Sequence, residues 1–379
     1  MKLADLTRFG YADNNRDSKK SLAVRLHIDV PLFVGLSMLA VTSLVILYSS
    51  SGQSVDTVVR QALRILLAFG VMLALAQISP QHLQRWSPWL YASGLILLVL
   101  VLGIGHIGKG AQRWLDIGFV RFQPSEIMKL GVPMMLAWYF AEHPIPPRFW
   151  RLLLAAVLIT VPVALIAKQP DLGTAMLISV GGFLVLFFAG MSWKLLVGMG
   201  ITGGALAPIA WSMMHDYQRQ RVLTFINPET DPLGTGYHII QSTIAIGSGG
   251  TYGKGWLNGT QSQLDFLPER STDFIFAAFS EEFGFIGGCV LLAIYAFVVT
   301  RCLFIATQGQ DTFARLLSAS LAVTFSAYVF INTGMVTGLL PVVGVPLPLV
   351  SYGGTSIVTL MAGFGILMSI HTHRKLLPT

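Results

Sequence analysis

Cysteine is almost missing from this chain of 379 residues: Cys289 and Cys302 are its only two, each in or beside an apolar run. Neither a disulfide framework nor a metal site is expected from them. Charge is scarce too, at 11% of residues against 54% hydrophobic content. No GxxxxGK[ST], HExxH, CxxC or GxSxG occurs, and GSGG or GKG alone are loop glycines. No repeat of fixed period and no low-complexity tract is visible, so a transporter built from internal repeats finds no support. What remains, with a mean hydropathy of +0.66, is the composition of a polytopic membrane protein. The formal net charge of +7 does not point to nucleic acid. Its cations sit mostly at the ends of apolar segments, and no basic stripe is interleaved with aromatics.

Apolar runs long enough to span a bilayer occur near 31–50, 58–79, 88–105, 124–141, 150–167, 174–191, 193–213, 274–304, 313–336 and 351–371. They predict an all-α bundle of about ten transmembrane helices. The runs at 150–167 and 174–191 are short, carry Pro162, Gly181, Gly182 and Gly190, and are the ones expected to tilt or bend. The expected organisation is a cytoplasmic segment 1–30, one membrane domain 31–371 and a cytoplasmic tail 372–379. No cleavage site follows the first run, so the first helix is expected to stay as an anchor.

With both termini inside, fourteen Lys and Arg fall on the inner side and eight on the outer, which fixes the orientation. The outer cations gather in three places: GKGAQRWLDIGFVRFQPSE (108–126), KQPDLGT (168–174) and the long loop after the seventh run. Two readings stay open for them. Long loops translocate regardless of charge; alternatively, the cations meet an anionic substrate at the outer face.

The long loop, 214–273, is what a bilayer does not explain: about sixty residues dense in Gly, Pro, amides and charge. It reads as an active-site loop ending on Asp273, where loop meets helix. Ionisable residues inside apolar runs are site candidates by default, namely Arg64, Glu126, Lys129, Glu281 and Glu282. Glu126 and Lys129, three apart on one helix, can satisfy each other. Arg64 either snorkels outward or pairs with a glutamate. In a helix starting at Asp273, Glu281 lies about 12 Å deeper and is turned by about 80°, with Glu282 facing away. That is too far for the paired carboxylates of a glycosidase, about 5–9.5 Å apart. One surface base remains, with glutamates below as support. A single base suffices when the leaving group departs unprotonated, as a diphosphate does.

His215, His238, His371 and His373 do not group at ligand spacing apart from the terminal HTH, which reads as an interfacial tail. PVVGVPLPLVSYGG (341–354), with Pro341, Pro346 and Pro348, cannot be a regular helix. It is expected to be a buried, rigid outer loop, either a stiff connector or one wall of the site.

These stretches, together with HDYQRQRV, DPLGTGYHIIQS, GKGWLNGTQSQLDFLPERSTDFIF and EEFG, closely resemble the SEDS (shape, elongation, division, sporulation) family from about residue 30 onward. HDYQRQRV and SIHTHRK look more like its elongation member than its division paralogue. The resemblance implies a ten-helix peptidoglycan glycosyltransferase of the bacterial inner membrane. Such an enzyme polymerises lipid II on the periplasmic side, beside a class B penicillin-binding protein and other elongation-complex membrane proteins. The family's essential aspartate maps onto Asp273, its outer-loop tryptophan onto Trp114 beside Gln112 and Arg113, and the aspartate of QPDLGT onto Asp171. On that basis Asp273 is the general base on the acceptor hydroxyl. Arg113, Lys129, Arg219, Arg221 and Arg270 are candidates for holding the diphosphate, with Glu126, Glu281 and Glu282 supporting. No cofactor is required, and a divalent cation on the diphosphate stays open. The alternatives are a lipid II flippase and a non-enzymatic scaffold. A flippase needs polar groups through the whole bundle, whereas here polarity gathers at the outer rim.

Overall fold

The computed structural model describes residues 25–108, 111–116, 121–214, 219–220, 223–225, 227, 235–264, 266–267 and 269–374. Helices α1 (Val30–Ser50), α2 (Val55–Ala76) and α3 (Pro80–Ile104) come first. A small antiparallel ribbon follows, made of β1 (His106–Gly108), β2 (Ala111–Asp116) and β3 (Arg121–Phe122). Then come α4 (Pro124–Ala141), α5 (Phe149–Lys168), α6 (Leu172–Phe188) and α7 (Trp193–Met213). Inside the long loop lie α8 (Thr235–Gly249) and the four-residue α9 (Thr260–Gln263). The chain closes with α10 (Ile275–Thr307), α11 (Thr312–Val336) and α12 (Thr355–Thr372).

All ten apolar runs are therefore helical. Among the described residues seven helices (α1, α2, α3, α5, α10, α11 and α12) are long and apolar enough to cross a membrane by length and composition. The protein is an all-α polytopic membrane protein. The ribbon and α8 add structure to segments that read as plain loop. The helices start where capping chemistry dictates. Asp29, Asp171 and Asp311 each accept a bond from the backbone N–H three residues on, opening α1, α6 and α11. Pro80 and Pro124 stand in the first turns of α3 and α4, where a missing N–H costs nothing.

Two apolar cores hold the bundle. One joins α1, α2, α10, α11 and α12 to the 341–354 loop, and the other joins α3, α4, α5, α6, α11 and α12. α12 lies against α2 at Gly365, where a Cβ would run into the Met72 carbonyl and stand 3.0 Å from the Leu75 Cβ. Such small-residue contacts replace the hydrophobic drive that lipid removes.

The sequence singled out 150–167 and 174–191 for bending, but the backbone break falls at Gly284 (φ 65°, ψ −165°), inside α10. A broken helix in a membrane frees carbonyls on one side and N–H groups on the other. Here the glycine-rich stretch 250–255 satisfies both sides. The Lys254 and Gly255 N–H groups donate to the Glu281 and Glu282 carbonyls at 3.0 and 2.9 Å. In return the Phe285 and Ile286 N–H groups donate to the Gly250 and Thr251 carbonyls at 2.9 and 3.1 Å. Gly253 (φ 82°) lies directly on this crossing, where a Cβ would collide with the Glu282 backbone.

Candidate active site

Asp273 stands one residue before the N-cap of α10, half-buried, at the end of the long loop. Its position is set from below by one amide: Asn332 Nδ2 of α11 donates to the Asp273 carbonyl at 2.9 Å and to the Val345 carbonyl at 2.7 Å. Asn332 is fully buried, so one side chain ties Asp273 to the proline-rich loop. That loop is held by polar bonds along its length. Ser351 Oγ donates to the Thr272 carbonyl (2.6 Å) and accepts from the Leu347 N–H. The Tyr352 N–H donates to the Ser271 carbonyl, Tyr295 OH to the Pro348 carbonyl, and Ser43 Oγ to the Val350 carbonyl. Gln61, fully buried on α2, donates to the Ser351 carbonyl and accepts from the Gly353 N–H. The loop is thus pinned along its length and stands beside Asp273: a Cβ on Gly344 (φ 72°) would lie 3.6 Å from Asp273 Oδ2.

The QPDLGT turn also meets this loop, since a Cβ on Gly173 would strike the Val343 carbonyl. Asp171 caps α6 through the Thr174 N–H and accepts from Gln123 Nε2 at 2.8 Å. Arg113, on β2, donates to the Gln169 carbonyl at 3.0 Å and to the Pro170 carbonyl, with Nη1 4.0 Å from Asp171 Oδ1. An unbroken series of contacts therefore runs from Arg113 through the turn and the proline-rich loop to Asp273. Trp114 comes next on β2, half-buried, opposite His106. Successive strand residues face opposite ways, so it does not share Arg113's side of the ribbon.

Beside that loop, Tyr328 lies one turn before Asn332 on α11 and packs with Leu177, Ile331 and Val345. Tyr328 lines a cleft between α4, α11 and α12 enclosing about 430 Å³, counting the space at its mouth. Its other walls are mostly apolar (Phe325, Leu360, Phe364), with Thr324, Thr359 and Lys129 as the polar members. Lys129 Nζ is 2.7 Å from Glu126 Oε1 and 5.5 Å from the Tyr328 ring centre. The pair expected from their spacing is formed, and Lys129 lines the cleft.

The remaining expected residues have the following described contacts. Arg219 donates to the Trp211 and Ser212 carbonyls at the end of α7, and Arg270 lies near the α1–α2 turn at Gly52. Arg221 and the Gln112 side chain lie outside the described residues, as does His215. The described partner of Arg64 is an aromatic ring and not a glutamate: its guanidinium sits 4.6 Å over the Tyr352 ring. Glu281 is fully buried, takes Lys254 Nζ at 2.7 Å and Thr260 Oγ1 at 3.1 Å, and accepts the Gln261 and Ser262 N–H groups that open α9. Glu282 accepts from Ser49 Oγ. Glu281 thus holds the loop against α10, and Glu282 ties α10 to α1. Sequence reasoning passed over Asn332, Gln61 and Tyr328. The available signal was an uncharged amide or phenol inside an apolar run.

The family described as FtsW/RodA/SpoVE cell cycle proteins matches residues 23–376. The chain is 52% identical to peptidoglycan glycosyltransferase MrdB of Escherichia coli K12 over 361 residues, 95% of this chain and 98% of that protein. Its identity to the protein of that name from Helicobacter pylori 26695 is 36%, over 92% and 91% of the two chains. Among solved structures, a chain from a work on structural coordination of polymerization and crosslinking by a peptidoglycan synthase complex superposes with TM-score 0.81. That match has 33% identity and covers 92% of this chain and 99% of that one. The rod shape determining protein RodA of Thermus thermophilus gives TM-score 0.70 at 30% identity, covering 92% and 98%.

Proposed function

Because the chain belongs to the FtsW/RodA/SpoVE family of cell cycle proteins, we propose that it is a peptidoglycan glycosyltransferase that polymerises lipid II during cell elongation. The supporting observation is the placement of one half-buried carboxylate, Asp273, where the long loop meets α10, beside a proline-rich loop whose Val345 packs on Tyr328. Asp273 takes the proton of the acceptor sugar hydroxyl as that oxygen attacks the anomeric carbon of the lipid-linked donor. Attack from the face opposite the undecaprenyl diphosphate inverts the anomeric centre. The diphosphate leaves unprotonated, so no second carboxylate is needed. Lys129 and Arg113 bear the charge that develops on it. The apolar walls of the cleft suit a polyprenyl chain entering sideways from the bilayer.

In this reading both termini are cytoplasmic, the site opens to the periplasm of the inner membrane, and a class B penicillin-binding protein crosslinks the emerging strand. The test uses purified chain with that partner and lipid II in detergent, where no second leaflet exists. Glycan polymer is the expected product. Lipid II left intact there, with translocation in vesicles, would instead make the protein a flippase.

Arg113→Ala is expected to lower polymerisation about ten- to hundredfold, with a melting temperature near wild type because the side chain is a third exposed. Full turnover in that variant would leave Arg113 as a brace for the Gln169–Pro170 turn and nothing more.

A further inference from the structure

His238 lies on α8, in the loop between α7 and α10, with its ring stacked on Phe274 at a centroid distance of 5.6 Å and 19° from parallel. Phe274 is the residue after Asp273 and is itself 2% exposed. Both partners of the stack rest on α11: Ser242 Oγ of α8 donates to the Val336 carbonyl at 2.8 Å, and Asn332 holds the Asp273 carbonyl. The imidazole therefore presses on the residue that carries the base into its helix. Its Nδ1 is buried and meets no hydrogen-bond partner among the described residues. Stacking, rather than a hydrogen bond at that atom, keeps the ring in place.

We propose that His238 is a positioning residue for the transfer step, whose neutral ring braces Phe274 and fixes Asp273, and whose protonation releases that brace. A neutral ring tolerates Nδ1 as an unpaired acceptor. A protonated ring turns the same atom into a buried donor with nothing to receive its proton, which is the costlier state. Among the described residues, the charged group that acts on the ring is Glu269, at the start of the turn ending in Asp273. Arg270 reaches toward Gly52, and residues 329–336 of α11 bring no charge to this end. A cationic His238 is drawn toward Glu269 and off Phe274.

Burial holds the imidazole below its ordinary range, with Glu269 opposing. A depressed folded value means the stack is complete above the unfolded histidine value and is lost as pH falls through the folded one. Polymerisation should then show an acid limb in the mildly acidic range that belongs to His238.

The inference rests on Asp273 being the base, and one set of variants separates the two claims. Full-length His238→Ala, His238→Phe, Glu269→Gln and Asp273→Asn are assayed for lipid II polymerisation between about pH 5.5 and 8. His238→Ala should lose about tenfold or more in kcat at the alkaline end, since small misplacements of a reacting group cost that much, with KM little changed. His238→Phe, which keeps the stack but cannot titrate, should recover most of that loss and flatten the acid limb. Glu269→Gln should shift the limb to lower pH. A wild-type rate in His238→Ala, or an acid limb in His238→Phe parallel to wild type, overturns the proposal. Activity in Asp273→Asn overturns the reading beneath it instead.

Discussion

Asp273→Asn should fold, melt near the wild-type temperature and make almost no glycan. The substitution keeps the shape of the side chain and removes its capacity to accept a proton. Asn332 holds the backbone carbonyl of residue 273, not its side chain, and Ser351 and Tyr352 hold residues 272 and 271 through their carbonyls. The turn is therefore fixed by bonds the substitution does not touch. General-base catalysis contributes about 10²–10⁴ in rate, and the loss should fall in kcat while lipid II binding persists. Quantified polymer from purified variant and partner checks this, with melting as the control for folding. Asp273→Ala should lose at least as much. Polymer at the wild-type level from either variant would remove the only base in the mechanism.

Glu281→Ala should act on stability and not on chemistry. It strips a fully buried carboxylate of its role toward Lys254, Thr260 and two backbone N–H groups. Lys254 then keeps a charge beside an apolar helix, and the first N–H groups of α9 lose their acceptor. Breaking a buried pair from one side costs about 3–5 kcal/mol. The segment 254–263 should detach from α10 and become open to protease before the bundle melts. Glu281→Gln, which keeps an acceptor oxygen for the N–H groups but drops the charge, should fall between the two. Limited proteolysis followed over temperature distinguishes this loss from a catalytic one. An alanine variant as resistant as wild type would mean the clamp holds nothing.

These roles divide what the sequence made legible from what it did not. The ten helices were readable because a bilayer demands long apolar runs, and the junction of loop and helix at Asp273 was readable because the apolar run begins there. The Glu126–Lys129 pair followed from a spacing of three on one helix. Inter-helix partners were hidden. In a membrane the lipid face and the core face of a helix are both apolar, so periodicity does not mark which side is buried. Leu63 and Leu66 face outward on α2 while Gln61 is fully buried against the proline-rich loop. Asn332 gave no charge to draw the eye, yet it fastens two loops together. The break at Gly284 was hidden for another reason: glycines abound in this chain, and only the paired backbone of 250–255 shows which of them interrupts a helix.

That pairing bears on how the molecule is assembled and on how it can vary. The backbone groups on either side of the break in α10 are satisfied only when the preceding glycine-rich stretch is joined to them, so residues 249–286 form one structural unit. Evolution, or an engineer recombining relatives, can exchange this piece whole. Splitting it between two parents would strand four backbone groups in oil.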